Sequence, residues 1–303
     1  MKFDFLSESD QAYFIHKAST LVEALPYIRQ HSGDIIVIKY GGHAMGDPKL
    51  SKSFSKDIGL MKEVGMHPVI IHGGGPQIGE RLKLKNIKSD FVDGLRVTDK
   101  NTVEIVEEVL AKDINKEIVD EINNSGGKAI GLAGNQNNLI NANKLKVQIK
   151  DSDSNIEKLV DIGFVGHPTN VNNNLIMDHI KKGLIPVIAP LGIDADNNSY
   201  NINADTVAGF IAGTLKASKL LLLTDVAGIL DKENKLISSL SLNDAKEIIK
   251  KDFIMGGMKP KILTCINAME KGVIKSTILD GRIPHSLVLE LFTEHGIGTQ
   301  IYS

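Results

Sequence analysis

Two lysines, one aspartate and a pair of glycine-rich turns are the residues here whose types and spacing suit chemistry. Lys39-Tyr40-Gly41-Gly42 closes one β-branched apolar run, and His72-Gly73-Gly74-Gly75-Pro76 closes the next. A glycine turn between a buried strand and a helix start offers backbone N–H groups and the positive end of a helix dipole to an anion. Glycine suits the position because a Cβ would obstruct close approach or forbid φ > 0. One such turn is common in α/β proteins. Two in successive units lie together on the carboxyl edge of a parallel sheet, where ligands bind. Neither has the Walker A spacing or the spaced glycines of a dinucleotide fingerprint.

Lys39 ends a hydrophobic strand, where an ammonium is costly unless it meets an anion. It reads as a phosphate contact, with a solvated surface lysine as the alternative. Asn201-Ile202-Asn203-Ala204-Asp205 stands before an apolar helix. Asn203 alone would cap that helix, so the other polar residues are free for further work. Leu221-Leu222-Leu223 runs into the polar turn Thr224-Asp225-Val226-Ala227-Gly228, and Gly256-Gly257-Met258 opens a helix bearing Lys259 and Lys261. Lysines at a helix start oppose its dipole, and an anionic ligand would relieve them. Phosphoryl transfer works by positioning and charge neutralisation rather than covalent catalysis. Lys39, Lys261, the glycine amides and an orienting Asp205 form such a set.

The elements that must hold these residues repeat as strand, glycine turn and amphipathic helix. Ile35 to Ile38 and Pro68 to Ile71 read as strands buried on both faces. Between them, Asp47 and Pro48 start a helix as N-cap and first residue, and Gly65 ends it. A long helix is expected after Thr98-Asp99, with Val103, Val106, Leu110, Ile114, Ile118 and Ile122 on one stripe and Gly126-Gly127 as its stop. Lys128 to Leu132, Leu184 to Leu191 and Lys219 to Thr224 read as further strands, with a helix from Ala204 to about Leu215. The alternation predicts an α/β fold with a mainly parallel sheet. Residues 135–174, polar and partly alternating, read as hairpins with an exposed loop around Asp151 to Lys158 that covers a site.

Hydrophobic residues make up 42% and charged residues 24%, an ordinary globular balance, and a net charge of −2 gives no global attraction to nucleic acid or an anionic membrane. Cys265 is the only cysteine, which excludes an intramolecular disulfide or a cysteine metal cluster and suits a reducing cytosol. It sits in an apolar helical pattern and is not expected to be a catalytic thiol. Met1 to Phe5 lacks the pattern of a signal peptide. The longest apolar stretch, Leu184 to Ile193, carries two prolines and is far short of the ~20 residues of a membrane span. A soluble cytoplasmic protein is expected. Ahead of the first strand, Phe14, Ala18, Leu21, Leu25 and Ile28 form a stripe that Pro26 should kink. It reads either as a helix packed on its own domain or as an exposed arm for a partner subunit.

Taken in order, Lys39-x-Gly41-Gly42, His72 to Pro76, Gly94-Leu95-Arg96-Val97-Thr98, Asn201-x-Asn203-Ala204-Asp205, Leu223-Thr224-Asp225-Val226 and Gly257-Met258-x-x-Lys261 resemble the amino-acid kinase family. The resemblance runs from about Asp34 to Ile301. Related kinases of aspartate, glutamate, carbamate and UMP share the first glycine turn but not the Gly-Leu-Arg-Val-Thr and Asn-x-Asn-Ala-Asp pair. The resemblance implies an open αβα sandwich. Residues 1–33 would form a helical arm, 34–190 a lobe for the amino-acid substrate and dimerisation, and 191–303 a lobe for ATP and an arginine site. It implies transfer of the ATP γ-phosphoryl group to the γ-carboxylate of N-acetyl-L-glutamate, an early step of arginine synthesis. The carboxylate is itself the nucleophile, so no enzyme base is needed.

On the same resemblance, Lys39 and Lys261 stabilise charge on the transferring group and Asp205 orients them. Gly73, Gly74 and Gly75 cradle the substrate, Arg96 grips its α-carboxylate, and Asn201 binds its amino-acid moiety. Gly41, Gly42, Thr224, Asp225, Gly228, Gly256, Gly257 and Met258 serve the nucleotide. Mg2+ arrives with ATP, held mainly by phosphates and water, with no dedicated protein metal site. The flanks resemble the arginine-inhibited branch, in which N-terminal helices interlace dimers into a hexamer and a PII-type signal protein is a candidate partner. The pattern His285-Ser286-x3-Glu290 to Gly298-Thr299 then implies an arginine site near Lys219, His285, Glu290 and Gly298. Two departures, His43 and His167-Pro168, bear on the covering region rather than on the chemistry. A catalytically silent arginine sensor of the same fold is the alternative, and the intact Lys39, Asp205 and Lys261 set argues against it. A dinucleotide-binding dehydrogenase would need the spaced glycines and ribose acid that are missing.

Overall fold

The computed structural model describes residues 6–150, 157–254 and 256–303. Its strands are β1 (Ile35–Tyr40), β2 (His67–His72), β3 (Phe91–Val92), β4 (Leu95–Arg96), β5 (Ala129–Ala133), β6 (Ile140–Lys150), β7 (Glu157–Val171), β8 (Ile185–Ala189), β9 (Leu191–Ile193), β10 (Ser199–Asn201), β11 (Lys219–Thr224), β12 (Ser239–Ser241), β13 (Lys275–Asp280) and β14 (Thr299–Tyr302). Eight of them form one sheet in the order β12-β14-β13-β11-β1-β2-β8-β5. From β13 to β5 every neighbouring pair is parallel; β14 pairs antiparallel with β13, and β12, parallel to β14, runs against the rest as well.

The apolar runs are continuous because both faces of this sheet are covered. Val37 and Leu222 point into one core, while Ile36, Ile38 and Leu221 point into the other. Ahead of the sheet come α1 (Glu8–Glu23) and α2 (Leu25–His31). α3 (Pro48–Glu63), α4 (Gly75–Leu84), α5 (Lys100–Glu107) and α6 (Asn115–Asn124) pack on the face of Ile36. α7 (Asn173–Lys181), α8 (Ala204–Leu215), α9 (Leu242–Ile248) and α10 (Met258–Glu270) pack on the face of Val37, and α11 (Ser286–Phe292) returns to the first. The architecture is the expected αβα sandwich. β6, β7, β9 and β10 close into a small ring beside it.

Local chemistry sets the helix starts as the sequence predicts. Asp47 accepts from the Lys49 and Leu50 N–H groups at 2.7 and 3.3 Å, and Asn203 accepts from Thr206 N–H at 3.1 Å. The helix after Asp99 is less regular than expected, since α5 passes into α6 through a π-helical stretch, Glu108–Ile114. All six apolar residues of its stripe are nonetheless buried.

Of the two readings of the N-terminal stripe, packing on its own domain does not hold for α1. No residue of α1 is buried, and Phe14 and Leu21 are 47% and 75% exposed. Past Pro26 the chain returns to the domain, with Tyr27 and Ile28 packed on the core and His31 buried. The hairpin expected within 135–174 is β6–β7, whereas the loop around Asp151 to Lys158 lies mostly outside the described residues. Among the described residues, no helix is long and apolar enough to cross a membrane.

Candidate active site

Parallel pairing brings the two glycine turns side by side. Tyr40 lies opposite His72, and Gly73 N–H donates to Tyr40 O at 2.7 Å. The backbones are so close that a Cβ on Gly73 would stand 3.7 Å from the Gly41 Cα. β1 also borders β11, and the chain leaves these two strands in opposite directions across the sheet, the usual place for a ligand crevice. There Gly42 adopts φ +71°, and a Cβ on it would collide with the Asp225 carboxylate.

Over this crevice three elements deliver three charges. Asp205, in the first turn of α8, puts Oδ1 3.2 Å from Lys39 Nζ of β1 and Oδ2 2.5 Å from Lys261 Nζ of α10. Lys39 Nζ curls back over its own turn, 2.9 Å from where a Gly41 Cβ would be. Burial alone would raise the Asp205 carboxyl, but the two ammoniums outweigh it and hold it below the ordinary carboxylate range. Two ammoniums against one carboxylate leave a positive charge in a largely buried place. Lys259, the other lysine expected at this helix start, is exposed to solvent.

Every carbonyl of the second turn is occupied by the protein. Gly73 O accepts from His72 Nδ1 at 2.8 Å, Gly74 O from Ile78 N–H at 2.9 Å, and Gly75 O from Arg96 Nη2 at 3.0 Å. Among the described residues, the Gly74 and Gly75 N–H groups have no protein acceptor, as expected at the head of α4. The turn is thus a donor surface. A Cβ on Gly74 would come within 2.5 Å of Leu110 Cδ2 and 2.6 Å of Ile114 Cδ1 from the π-helical stretch, so both side-chain ends would have to move.

Arg96 reaches the same place from a hairpin. Asp93 and Gly94 have φ of +50° and +76°, the two-residue turn that favours Asp-Gly, and they pair Arg96 with Phe91 across β3–β4. The guanidinium lies 4.7 Å from the Phe91 ring centroid and also donates to Ser89 Oγ. Burial lowers its pKa, and among the described residues no carboxylate pairs with it. A buried, uncompensated guanidinium facing a cavity is a site for an anion.

These groups line one cleft of about 1180 Å³. It holds Lys39, Gly41, Gly42, Gly73, Gly74, Gly75, Arg96, Asn201, Asp205, Gly256, Gly257 and Lys261. Thr224, Asp225, Gly228 and Met258 are not on its wall. Asp225 adjoins Gly42, Gly228 adjoins Thr299, and Met258 packs against the core. Cys265 is buried in α10, with its thiol pushed up to about 12 by burial.

The four residues grouped for arginine fall into two places. Lys219 starts β11, at the far end of that strand from the cleft. Its ammonium is held below its ordinary pKa by burial, against the raising effect of Glu290. Glu290 Oε2 accepts from the Ile297 and Gly298 N–H groups at 2.9 and 3.3 Å. His285 is instead at the other end of α11, where Nδ1 meets Asp57 Oδ1 of α3 at 2.6 Å. Sequence reasoning missed Asn115, which joins His72 Nε2 at 3.2 Å to Val187 O at 2.9 Å from the first residue of α6, directly after the π-helical stretch.

Phosphate-sized donor turns flanked by two lysines, on this sheet, are the layout of a phosphotransferase. The family model described as "Amino acid kinase family" matches residues 34–280, and the chain belongs to that family. More narrowly, it is 55% identical to the acetylglutamate kinase of Rhodospirillum centenum, over 95% of this chain and 94% of the relative. It is also similar to a solved structure of N-acetylglutamate synthase from Neisseria gonorrhoeae complexed with coenzyme A and N-acetyl-glutamate. The TM-score there is 0.81 at 26% identity, over 94% of this chain and 63% of the synthase. The same synthase complexed with coenzyme A and L-arginine gives a TM-score of 0.76 at 25% identity, over 94% of this chain and 65% of the synthase. This chain therefore spans just under two thirds of the synthase's length.

Proposed function

We propose that the chain transfers the γ-phosphoryl group of ATP to the γ-carboxylate of N-acetyl-L-glutamate, giving N-acetyl-L-glutamyl 5-phosphate and ADP in arginine synthesis. The observation that carries this reading is Asp205 held between Lys39 and Lys261 at the mouth of two donor turns, in one cleft with Arg96. Identity of 55% to an acetylglutamate kinase supports the choice of substrate.

In this mechanism the substrate carboxylate attacks phosphorus directly, the bond to the ADP oxygen breaks, and no proton has to move. The protein's task is positioning and charge. Lys39 and Lys261 meet the oxygens of the transferring group, and Asp205 holds both lysines in place. Gly41 and Gly42 face phosphate oxygens, while Gly73, Gly74 and Gly75 cradle the acceptor with Asn201. Gly256 and Gly257 on the cleft wall serve the rest of the nucleotide, with Thr224, Asp225, Gly228 and Met258 behind the wall. Magnesium would accompany ATP and offset phosphate charge, held mainly by phosphates and water; Asp205, with both oxygens facing lysines, is not left to ligate it.

Arg96 grips the α-carboxylate of the acceptor. Arg96→Lys, which keeps the charge but loses the planar fork, raises the KM for N-acetylglutamate about tenfold or more while the KM for ATP stays within about twofold. Steady-state kinetics with each substrate varied checks this, and equal rises in both constants would refute it. The reading as a whole is tested by a coupled ADP-release assay. Turnover with N-acetylglutamate, and little with glutamate or aspartate, is expected; absence of turnover with N-acetylglutamate overturns it.

Arginine lowers turnover in the same assay, acting at Lys219, Glu290 and Gly298, with His285 at the neighbouring helix end. The synthase solved with L-arginine supports this. The exposed α1 interlaces dimers into a hexamer in the cytoplasm. Deleting residues 1–30 reduces the particle to dimers and weakens arginine inhibition, as sedimentation and the same assay would report. An unchanged sedimentation profile would sink this role for α1.

A further inference from the structure

We propose that His72 and Asn115 are positioning residues for the second glycine turn, which they aim at the carboxylate that accepts the phosphoryl group by fixing a single peptide plane. The inference rests on the acceptor-cradle reading of Gly73 to Gly75 given above. His72 ends β2 and is fully buried, and Asn115, 4% exposed, stands where the π-helical stretch returns to α-helix. Val187 O can only accept, so the Asn115 atom 2.9 Å from it is the amide nitrogen. That NH2 group also reaches His72 Nε2 at 3.2 Å, and Nε2 must then offer a lone pair. The neutral ring therefore carries its proton on Nδ1, which donates to Gly73 O at 2.8 Å.

The consequence follows from peptide planarity. Gly73 C=O and Gly74 N–H belong to one trans peptide and point in opposite directions. Holding the carbonyl inward on His72 directs the Gly74 N–H the other way, toward the cleft. With the other ring tautomer, a lone pair would face Gly73 O and the plane would rotate. Two further features hold the device together. A Cβ on Gly131 would collide with Asn115 Oδ1, so β5 leaves room for the amide, and Leu110 and Ile114 press on Gly74 from the same helical stretch. Burial lowers the His72 pKa to about 4, so the ring is neutral wherever the enzyme works.

Two measurements test this. Histidine-selective 15N NMR of the wild-type protein should show His72 as the neutral Nδ1–H tautomer; an Nε2–H or doubly protonated ring at neutral pH overturns the proposal. This holds whether or not N-acetylglutamate is the substrate. Kinetics then separate positioning from packing. His72→Asn places an amide nitrogen where Nδ1 was, whereas His72→Gln places one where Nε2 was. His72→Gln should raise the KM for N-acetylglutamate by about tenfold, the scale of one lost hydrogen bond, with the KM for ATP little changed. His72→Asn should restore most of that loss. Equal effects of the two variants, or equal rises in both KM values, overturn it. Should His72→Gln fail to fold, the tautomer measurement still decides.

Discussion

Lys261→Ala and Lys39→Ala each lower kcat about 10²–10³-fold, the loss typical of removing one preorganised donor from a developing charge. The expectation follows from where the two ammoniums stand. Both touch the same carboxylate, 3.2 and 2.5 Å away, and both are largely buried. Water entering in place of either brings no charge, and a preorganised charge in such a place needs no rearrangement as the transition state forms. The lost stabilisation belongs to the transition state, so the KM for ATP should move much less than kcat. Single-turnover acyl-phosphate formation, trapped with hydroxylamine, checks this without interference from product release. Wild-type rates in either variant would remove that lysine from the mechanism.

Asp205→Asn is expected to be costly in a second currency, stability. Removing one partner of a buried ion pair commonly costs about 3–5 kcal/mol, because the charges left behind are uncompensated. Here two ammoniums would face each other across a neutral amide. Thermal unfolding without ligands should therefore fall by roughly 6–10 °C, taking about 2 °C per kcal/mol for a chain of this size. Turnover should fall as well, since neither lysine keeps its orientation. The wild-type contribution has a definite pH window. The folded Asp205 carboxyl lies below its ordinary value, so its stabilisation is complete above the usual carboxylate range and is lost as pH falls through the folded pKa. Asp205→Asn should flatten the acid limb of the stability profile. An unaltered melting temperature together with an unaltered acid limb would contradict the coupling.

Much of this site was legible because its chemistry is written in residues that are wrong for a core. A lysine at the end of Ile35 to Ile38, and glycines where a strand meets a helix, have few structural uses. The caps at Asp47 and Asn203 likewise marked two helices closely. Less legible were elements whose sequences lack a period. β13 runs Lys275-Ser276-Thr277-Ile278-Leu279-Asp280, and its buried Ser276 and Thr277 hide a central strand among polar residues. The π-helical stretch did leave a trace. Val106, Leu110, Ile114, Ile118 and Ile122 recur at intervals of four, and an α-helix would carry such a stripe about 40° around its axis at each step. A wider turn absorbs that drift. Asn115 gave no signal of its own, because its partners are set by the sheet register rather than by nearby sequence.

The place of β11 has a mechanical consequence. Lys219 begins this strand and Thr224 ends it beside the cleft, about 16 Å away at the usual rise of an extended chain. Between them, Leu220 to Leu223 are buried on both faces, and the backbone is laddered to β1 on one side and β13 on the other. A strand so held cannot buckle locally without opening one of its ladders. A push at the Lys219 end therefore arrives at the other end as a tilt of the whole slab, and the strand behaves as a stiff rod rather than a spring.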